Sequence, residues 1–425
     1  MADIIEIPTS RPVQASVCLP GSKSLTNRAL ICAAMANGRS VLNGCLDSED
    51  TRVMVDCLEK LGVNIDADWE QKSLVIAGTS GMIPEREADL FVANSGTTIR
   101  FLTALLAAGK GSYRLDGIPR MRERPIGDLL DALADLGVNA ISENDDRCPP
   151  VRVTTEGIEN SMAQVKGSIS SQYLSGLLMM SPLADKRIRL ELDGDLVSRP
   201  YIDMTLKVMS SFGVQVKSNL SANYLEIKPD LYQACDYNIE PDASAASYFW
   251  AAAAITGGKV KVTGLTRKSL QGDVGFCECL VKMGCAMIEE PDSITMLGQS
   301  LTGIDINMNA MSDTVQTLAA VALFADGPTT IRGVAHNRHK ETDRIGDLAT
   351  ELRKVGAKVE ELDDGLRIIP GPLNGAELET YQDHRMAMSL ALIGLKQPGI
   401  AIKNPECTAK TYPDYFQDLT NIIVA

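Results

Sequence analysis

The chain has 425 residues, 45% hydrophobic and 23% charged, with 4% aromatics and a net charge of −14. That length allows two or three domains with ample core, and the negative charge argues against nucleic acid or an anionic membrane as partner. Ten cysteines without a C-x-x-C pair, beside only three histidines, argue against zinc and fit small core residues in a reducing cytosol.

Taken in order, a strand is expected at Ile4–Ile7. Leu19-Pro-Gly-Ser-Lys-Ser-Leu-Thr-Asn-Arg28 then runs into the apolar stretch Ala29–Ala36. Ser22 suits an N-cap, and the small residues after Arg28 predict a buried helix. Lys23 and Arg28 stand in its first turns, where free N–H groups and the helix dipole disfavour cations unless an anion is held there. The spacing is not that of a Walker loop. The same pattern, a polar cap leading into a small-residue run, recurs at Asn94, Ser170, Asp242, Ser312 and Asp383, at steps of 70 to 76 residues. A second landmark keeps the beat. Gly62, Gly137, Gly213, Gly284 and Gly356 each end a helix at a position that suits the left-handed conformation.

Six units of this period predict an α/β (α+β) protein of two similar domains, three units in each. The boundary is expected near Ile239–Asp242. The sixth copy is cut short, and Ile4–Ile7 is expected to supply its missing strand. That gives one discontinuous domain, 1–20 with 241–425, and an inserted domain, 21–240, with hinge crossings near 20 and 240. The first 20 residues lack an export signal and no run of 18 apolar residues occurs, so a cytoplasmic protein without membrane contact is expected.

Cations gather near the caps and turns: Lys23, Arg28, Arg100, Arg124, Arg199, Lys340, Arg344, Arg385 and Lys410. The runs Arg120-Met-Arg-Glu-Arg124 and Arg338-His-Lys340 add to them. In so acidic a chain, this recurrence favours a cleft for a multiply charged anion. Among the carboxylates, Asp313 sits beside the cap of the fifth helix and Glu341 next to Lys340. Each is either an ionised structural partner or a general base, and the residue pattern leaves both open. Asp383-His384-Arg385 is no catalytic triad fragment, because consecutive helical residues cannot point at one another.

Leu19-Pro-Gly-Ser-Lys-Ser-x3-Arg28, Asn94-x-Gly-Thr-x2-Arg100, Arg120-x3-Arg124-Pro-Ile-Gly127, Ser170-Ser-Gln172, Lys340-Glu-Thr-Asp-Arg344, Asp383-His-Arg-Met-Ala-Met388 and Cys407-Thr-Ala-Lys410-Thr form one set. Together they resemble, essentially end to end, the 3-phosphoshikimate 1-carboxyvinyltransferase (5-enolpyruvylshikimate-3-phosphate synthase) family. The resemblance implies two domains of three βαβαββ units each, with buried parallel helices in an inverse α/β barrel-like arrangement, closing on the substrates. It implies enolpyruvyl transfer from phosphoenolpyruvate to the 5-hydroxyl of shikimate 3-phosphate in aromatic amino-acid synthesis, by a monomer without metal or organic cofactor. Carried over residue by residue, Lys23, Ser24, Arg28, Ser170, Ser171, Gln172, Ser198, Tyr201, Asp313, His336 and Lys340 would contact shikimate 3-phosphate. Lys23, Asn94, Gly96, Thr97, Arg124, Gln172, Arg344, His384, Arg385 and Lys410 would hold phosphoenolpyruvate. Lys23, Asp313, Lys340 and Glu341 would be catalytic.

Three positions depart from the pattern of many members: His336, with Asn337 following, stands for Asn, Phe101 for Pro and Ser95 for Ala. A related enolpyruvyltransferase acts on UDP-N-acetylglucosamine and would carry a reactive cysteine in the loop matching Gly117–Pro125, which has none here. A non-catalytic anion-binding relative is disfavoured by the joint presence of Lys23, Asp313, Lys340 and Glu341.

Overall fold

The structure, a computed structural model, describes every residue except 1–3, 168–169, 195, 220–222 and 425, and the side chains at 218, 219 and 424 are also left aside. The chain divides into two compact units, Met1–Pro20 with Glu240–Ala425, and Gly21–Ile239. Glu240, which the sequence places in the inserted segment, falls in the discontinuous unit. Its carboxylate accepts from the Leu270 N–H at 3.0 and 3.1 Å and from Gln271 Nε2 at 3.2 Å.

Within Gly21–Ile239, three four-stranded sheets share one topology. Glu87–Phe91 runs parallel to Gly111–Asp116, which pairs antiparallel with Val151–Thr155, and Asn139–Ser142 forms the far edge. The parallel pair is joined by the buried helix Gly96–Leu106 and the antiparallel pair follows the outer helix Gly127–Asp135, so the unit is βαβαββ. The strands alternate as half-buried strands should, as in the buried–exposed pattern of Val151–Thr155. All five landmark glycines have positive φ, from 82° at Gly137 to 115° at Gly284.

The first strand of the first repeat does not come from the segment that precedes it. Asp236–Asn238 pairs parallel with Arg39–Asn43, while Gln14–Val17 pairs parallel with Lys259–Thr263 of the fourth repeat. The two chain crossings therefore coincide with an exchange of equivalent strands. The sixth sheet has three strands, and Ile4–Ile7 is its antiparallel edge beside Ile400–Lys403.

Each unit is centred on three helices: Lys23–Ala34, Gly96–Leu106 and Ser171–Met180 in one, Ala243–Thr256, Val315–Ala322 and His384–Gly394 in the other. Every residue from Ala243 to Ile255 is buried, which small side chains permit because helix backbones can then approach closely. A Cβ on Gly176 would lie 3.0 Å from Ala104 Cβ and 3.1 Å from the Arg100 carbonyl oxygen. That contact brings Gln172 beside Arg100. In the other unit, hydroxyls join the three helices: Ser247 to Thr317 at 3.0 Å and Thr317 to Ser389 at 3.3 Å.

Candidate active site

In the unit Gly21–Ile239, Ser22 caps the first buried helix by accepting from the Leu25 N–H at 3.4 Å. Lys23 Nζ lies 3.3 Å from Asp50 Oδ2, whose carboxylate is buried. Arg28 is buried too. Its Nε donates to Thr205 Oγ1 at 2.7 Å, Nη1 to the Ser24 carbonyl at 3.0 Å, and Nη2 to Ser175 Oγ at 3.2 Å and the Tyr201 carbonyl at 3.4 Å. The Phe101 ring lies 5.1 Å from its Cζ, so Phe101 supplies a cation–π neighbour. Burial is the largest influence on Arg28 and pulls its pKa down to about 10. Hydroxyls and carbonyls surround the guanidinium. Ser198 is buried in the left-handed region, at φ 53°, just before the helix Arg199–Ser211, and its carbonyl accepts from the Tyr201 N–H at 3.0 Å.

A second cluster forms around the helix Gly96–Leu106. The cap is Ser95 rather than Asn94: its hydroxyl accepts from the Thr98 N–H at 3.3 Å. Asn94 is committed elsewhere, its carbonyl accepting from Arg124 Nη1 at 2.9 Å and its Oδ1 from the same nitrogen at 3.3 Å. Gly96 leaves room for this. A Cβ there would lie 2.4 Å from Arg124 Nη2 and 2.9 Å from Arg100 Nη1. Arg100 Nη1 donates to Gln172 Oε1 at 2.6 Å, and Gln172 Nε2 donates to Thr97 Oγ1 at 3.4 Å. Ser170 caps the helix that Ser171 and Gln172 begin.

In the other unit, four cations interleave with three carboxylates. Asp313 Oδ2 accepts from Arg385 Nη2 at 2.8 Å and Oδ1 from Arg344 Nη1 at 3.2 Å, with Lys340 Nζ 3.8 Å away. Arg344, fully buried, also grips Asp383 bidentately at 2.7 and 3.1 Å and donates to Glu341 Oε2 at 2.9 Å. Burial alone would lower the Arg344 pKa, but Asp383, Glu341 and Asp313 outweigh it and raise it. Lys410 Nζ lies 3.2 Å from Glu341 Oε1. Asp383 caps the helix that carries His384 and Arg385, accepting from the Arg385 N–H at 2.8 Å. His384 is buried, with Nδ1 3.7 Å from Asp383 Oδ1.

Asp313 ends up here because its segment is not yet α-helix. The cap expected at Ser312 is replaced by a 3-10 segment, Asn309–Thr314, broken at Met311 (φ −137°, ψ 44°). Thr314 opens the helix with no side-chain capping bond. Asn337 pins this turn, its Nδ2 donating to the Ser312 carbonyl at 2.9 Å. His336 beside it is held neutral. Burial, then Lys340, lower its pKa to about 4 against a weaker upward pull from Asp313.

Some expected cations lie elsewhere. Arg199 is mostly exposed and pairs with Asp203 at 3.8 Å along its own helix. Arg120 pairs with Glu123, Arg122 with Asp116, and Arg338 with Asp343; of the run 120–124, Arg124 alone among the arginines is buried. Local charge density cannot tell a solvated ion pair from a buried one. Among the described residues, no group of three or more His, Cys, Asp or Glu is arranged to hold a metal, and no helix is long and apolar enough to cross a membrane.

A family model described as EPSP synthase (3-phosphoshikimate 1-carboxyvinyltransferase) matches residues 7–419. The chain belongs to this family. A protein of Nostoc punctiforme named 3-phosphoshikimate 1-carboxyvinyltransferase is 52% identical over 417 residues, covering 97% of this chain and 98% of the relative. A protein of the same name from Shewanella sp. is 44% identical over 413 residues, 96% of this chain and 97% of its own. An EPSP synthase structure from Acinetobacter baumannii superimposes with a TM-score of 0.81 at 24% identity, over 99% of this chain and 98% of that one, a likeness of fold.

Several residues at these clusters escape a reading of the sequence. Asp50, in the first turn of Glu49–Lys60, passes for a dipole-favoured acid. Asp273 and Ser244 carry no motif: Ser244 Oγ donates to Asp273 Oδ2 and accepts from Arg385 Nη2 at 3.4 Å. Burial first, and then the Asp313 charge, push the Asp273 pKa up to about 7, while Arg385 and Ser244 pull it down.

Proposed function

We infer that the chain transfers the enolpyruvyl group of phosphoenolpyruvate to the 5-hydroxyl of shikimate 3-phosphate, releasing phosphate. The observation that carries the reading is Asp313, a carboxylate poised against Arg385, Arg344 and Lys340 in a chain of this family. In this reading Lys23, Ser24, Arg28, Ser170, Ser171, Gln172, Ser198, Tyr201, His336 and Lys340 hold shikimate 3-phosphate. Asn94, Gly96, Thr97, Arg124, Gln172, Arg344, His384, Arg385 and Lys410 hold phosphoenolpyruvate. The buried, carbonyl-lined Arg28 supports the first group and the Arg124–Gly96 approach the second.

Asp313 takes the proton of the 5-hydroxyl as the hydroxyl oxygen bonds to the enol carbon, and the enol methylene gains a proton from Glu341 or Lys23. The tetrahedral intermediate then returns a proton from its new methyl group to the residue that supplied it and expels phosphate, restoring the double bond. Preorganised cations stabilise the charge on the departing phosphate. No metal or organic cofactor enters these steps, and the protein works as a cytoplasmic monomer. Phosphate release with phosphoenolpyruvate is expected with shikimate 3-phosphate and not with UDP-N-acetylglucosamine; the reverse result would assign the chain to the sugar-nucleotide reaction.

Gly96→Ala tests the phosphoenolpyruvate half. The added methyl would displace Arg124 Nη2 from 2.4 Å, so KM for phosphoenolpyruvate is expected to rise about tenfold, the worth of roughly one charge-assisted hydrogen bond. KM for shikimate 3-phosphate should stay within twofold, as steady-state titration of each substrate will show.

His336 gives a pH prediction. Its folded pKa of about 4 lies below the ordinary 6.5, so the unfolded chain takes the proton first as pH falls. The stability contributed by the neutral ring is present above pH 6.5 and lost between 6.5 and 4, a change of about 3 kcal/mol. Denaturant unfolding of His336→Asn should show a correspondingly flatter pH dependence across that window.

A further inference from the structure

We propose that Asp273 and Ser244 are positioning residues that fix the Arg385 guanidinium against Asp313. The inference rests on the roles given above to Arg385 and Asp313, and extends them to two residues that touch neither substrate in that reading.

Asp273 is buried in the short turn Gly272–Gly275, and Ser244 is buried in the first turn of the helix Ala243–Thr256. The serine hydroxyl has one hydrogen, and it goes to Asp273 Oδ2. Toward Arg385 the same oxygen can therefore offer only a lone pair. Arg385 Nη2 stands between that lone pair, at 3.4 Å, and Asp313 Oδ2, at 2.8 Å. The two hydrogens of this nitrogen are thus assigned, one to each acceptor. Tyr248 OH, 3.5 Å from Nη1, braces the other arm. Without the Asp273 acceptor the serine hydroxyl is free to rotate its proton toward the guanidinium, which repels it, and Arg385 loses one side of its bracket. The charged groups acting on Asp273 are Asp313, Asp242 and Arg385, so its carboxylate also lies within the field felt by the proposed base.

The test uses the full chain at about pH 8, above the value of about 7 to which Asp273 is pushed, and compares the parent with Asp273→Ala, Ser244→Ala and the double variant. Turnover of the parent with phosphoenolpyruvate and shikimate 3-phosphate establishes the underlying reading first; a parent that fails to turn these substrates over overturns that reading, independently of any variant. With an active parent, each single variant is expected to raise KM for phosphoenolpyruvate about tenfold and leave KM for shikimate 3-phosphate within twofold. The double variant should be no worse than the more severe single, because both act through one contact. Ser244→Ala decides the matter alone if Asp273→Ala does not fold. A Ser244→Ala protein with parental Tm and parental KM for phosphoenolpyruvate overturns the proposal, and so do strictly multiplicative effects in the double variant.

Discussion

Asp313→Asn is expected to lower turnover by about 10²- to 10⁴-fold, the usual contribution of a positioned general base. The amide keeps an oxygen that can accept from Arg385 or Arg344, which now stand 2.8 and 3.2 Å from the carboxylate. Its shape therefore preserves much of the guanidinium arrangement. What it loses is the ability to take a proton at neutral pH. Both substrates should still bind, within about tenfold of the parent in affinity, when binding is followed by calorimetry, while single-turnover phosphate release falls by the full factor. A variant that binds both substrates and releases phosphate at the parental rate would remove Asp313 from the role of base.

Arg344→Met should be the most damaging single change to stability. Arg344 donates to Asp383, Glu341 and Asp313 from a fully buried position. Methionine fills similar volume but leaves three carboxylates facing one another with a diminished cationic complement. Removing one partner of a buried ion pair typically costs about 3–5 kcal/mol. In a unit of this size that corresponds to a fall in Tm on the order of 10 °C, readable by scanning calorimetry. Affinity for phosphoenolpyruvate should fall at least about tenfold with the loss of a charge-assisted contact. Arg344→Lys restores the charge without the bidentate fork on Asp383, so it should recover only part of the stability. A methionine variant that melts within about 2 °C of the parent would show that the carboxylates are neutralised by other means, chiefly Lys410 and Arg385.

Much of the architecture is legible in the residues. The caps at Ser22, Ser170, Asp242 and Asp383 are where local hydrogen bonding puts them, since a short polar side chain before an apolar run satisfies the first free N–H groups. The landmark glycines behave likewise, because positive φ is a local steric matter. Two caps are displaced where tertiary demands intervene: Asn94 is drawn off by Arg124, and the turn before Val315 is held open by Asn337. The exchange of Gln14–Val17 with Asp236–Asn238 is invisible in sequence. Either strand suits the edge of either parallel pair, and only the folded chain selects the partner.

The sequence by itself determined the sixfold period, the family and the residue types that an anionic substrate pair needs, because these rest on spacing and on chemistry carried by each side chain. The tertiary structure alone decided which of those charges count. Arg28 and Arg199 both stand near helix starts, yet one is buried against Thr205, 177 residues away, while the other is solvated beside Asp203. Asp50, Asp273 and Ser244 became visible for the same reason. Burial and partner identity are properties of long-range packing, and they set how strongly a charge is felt.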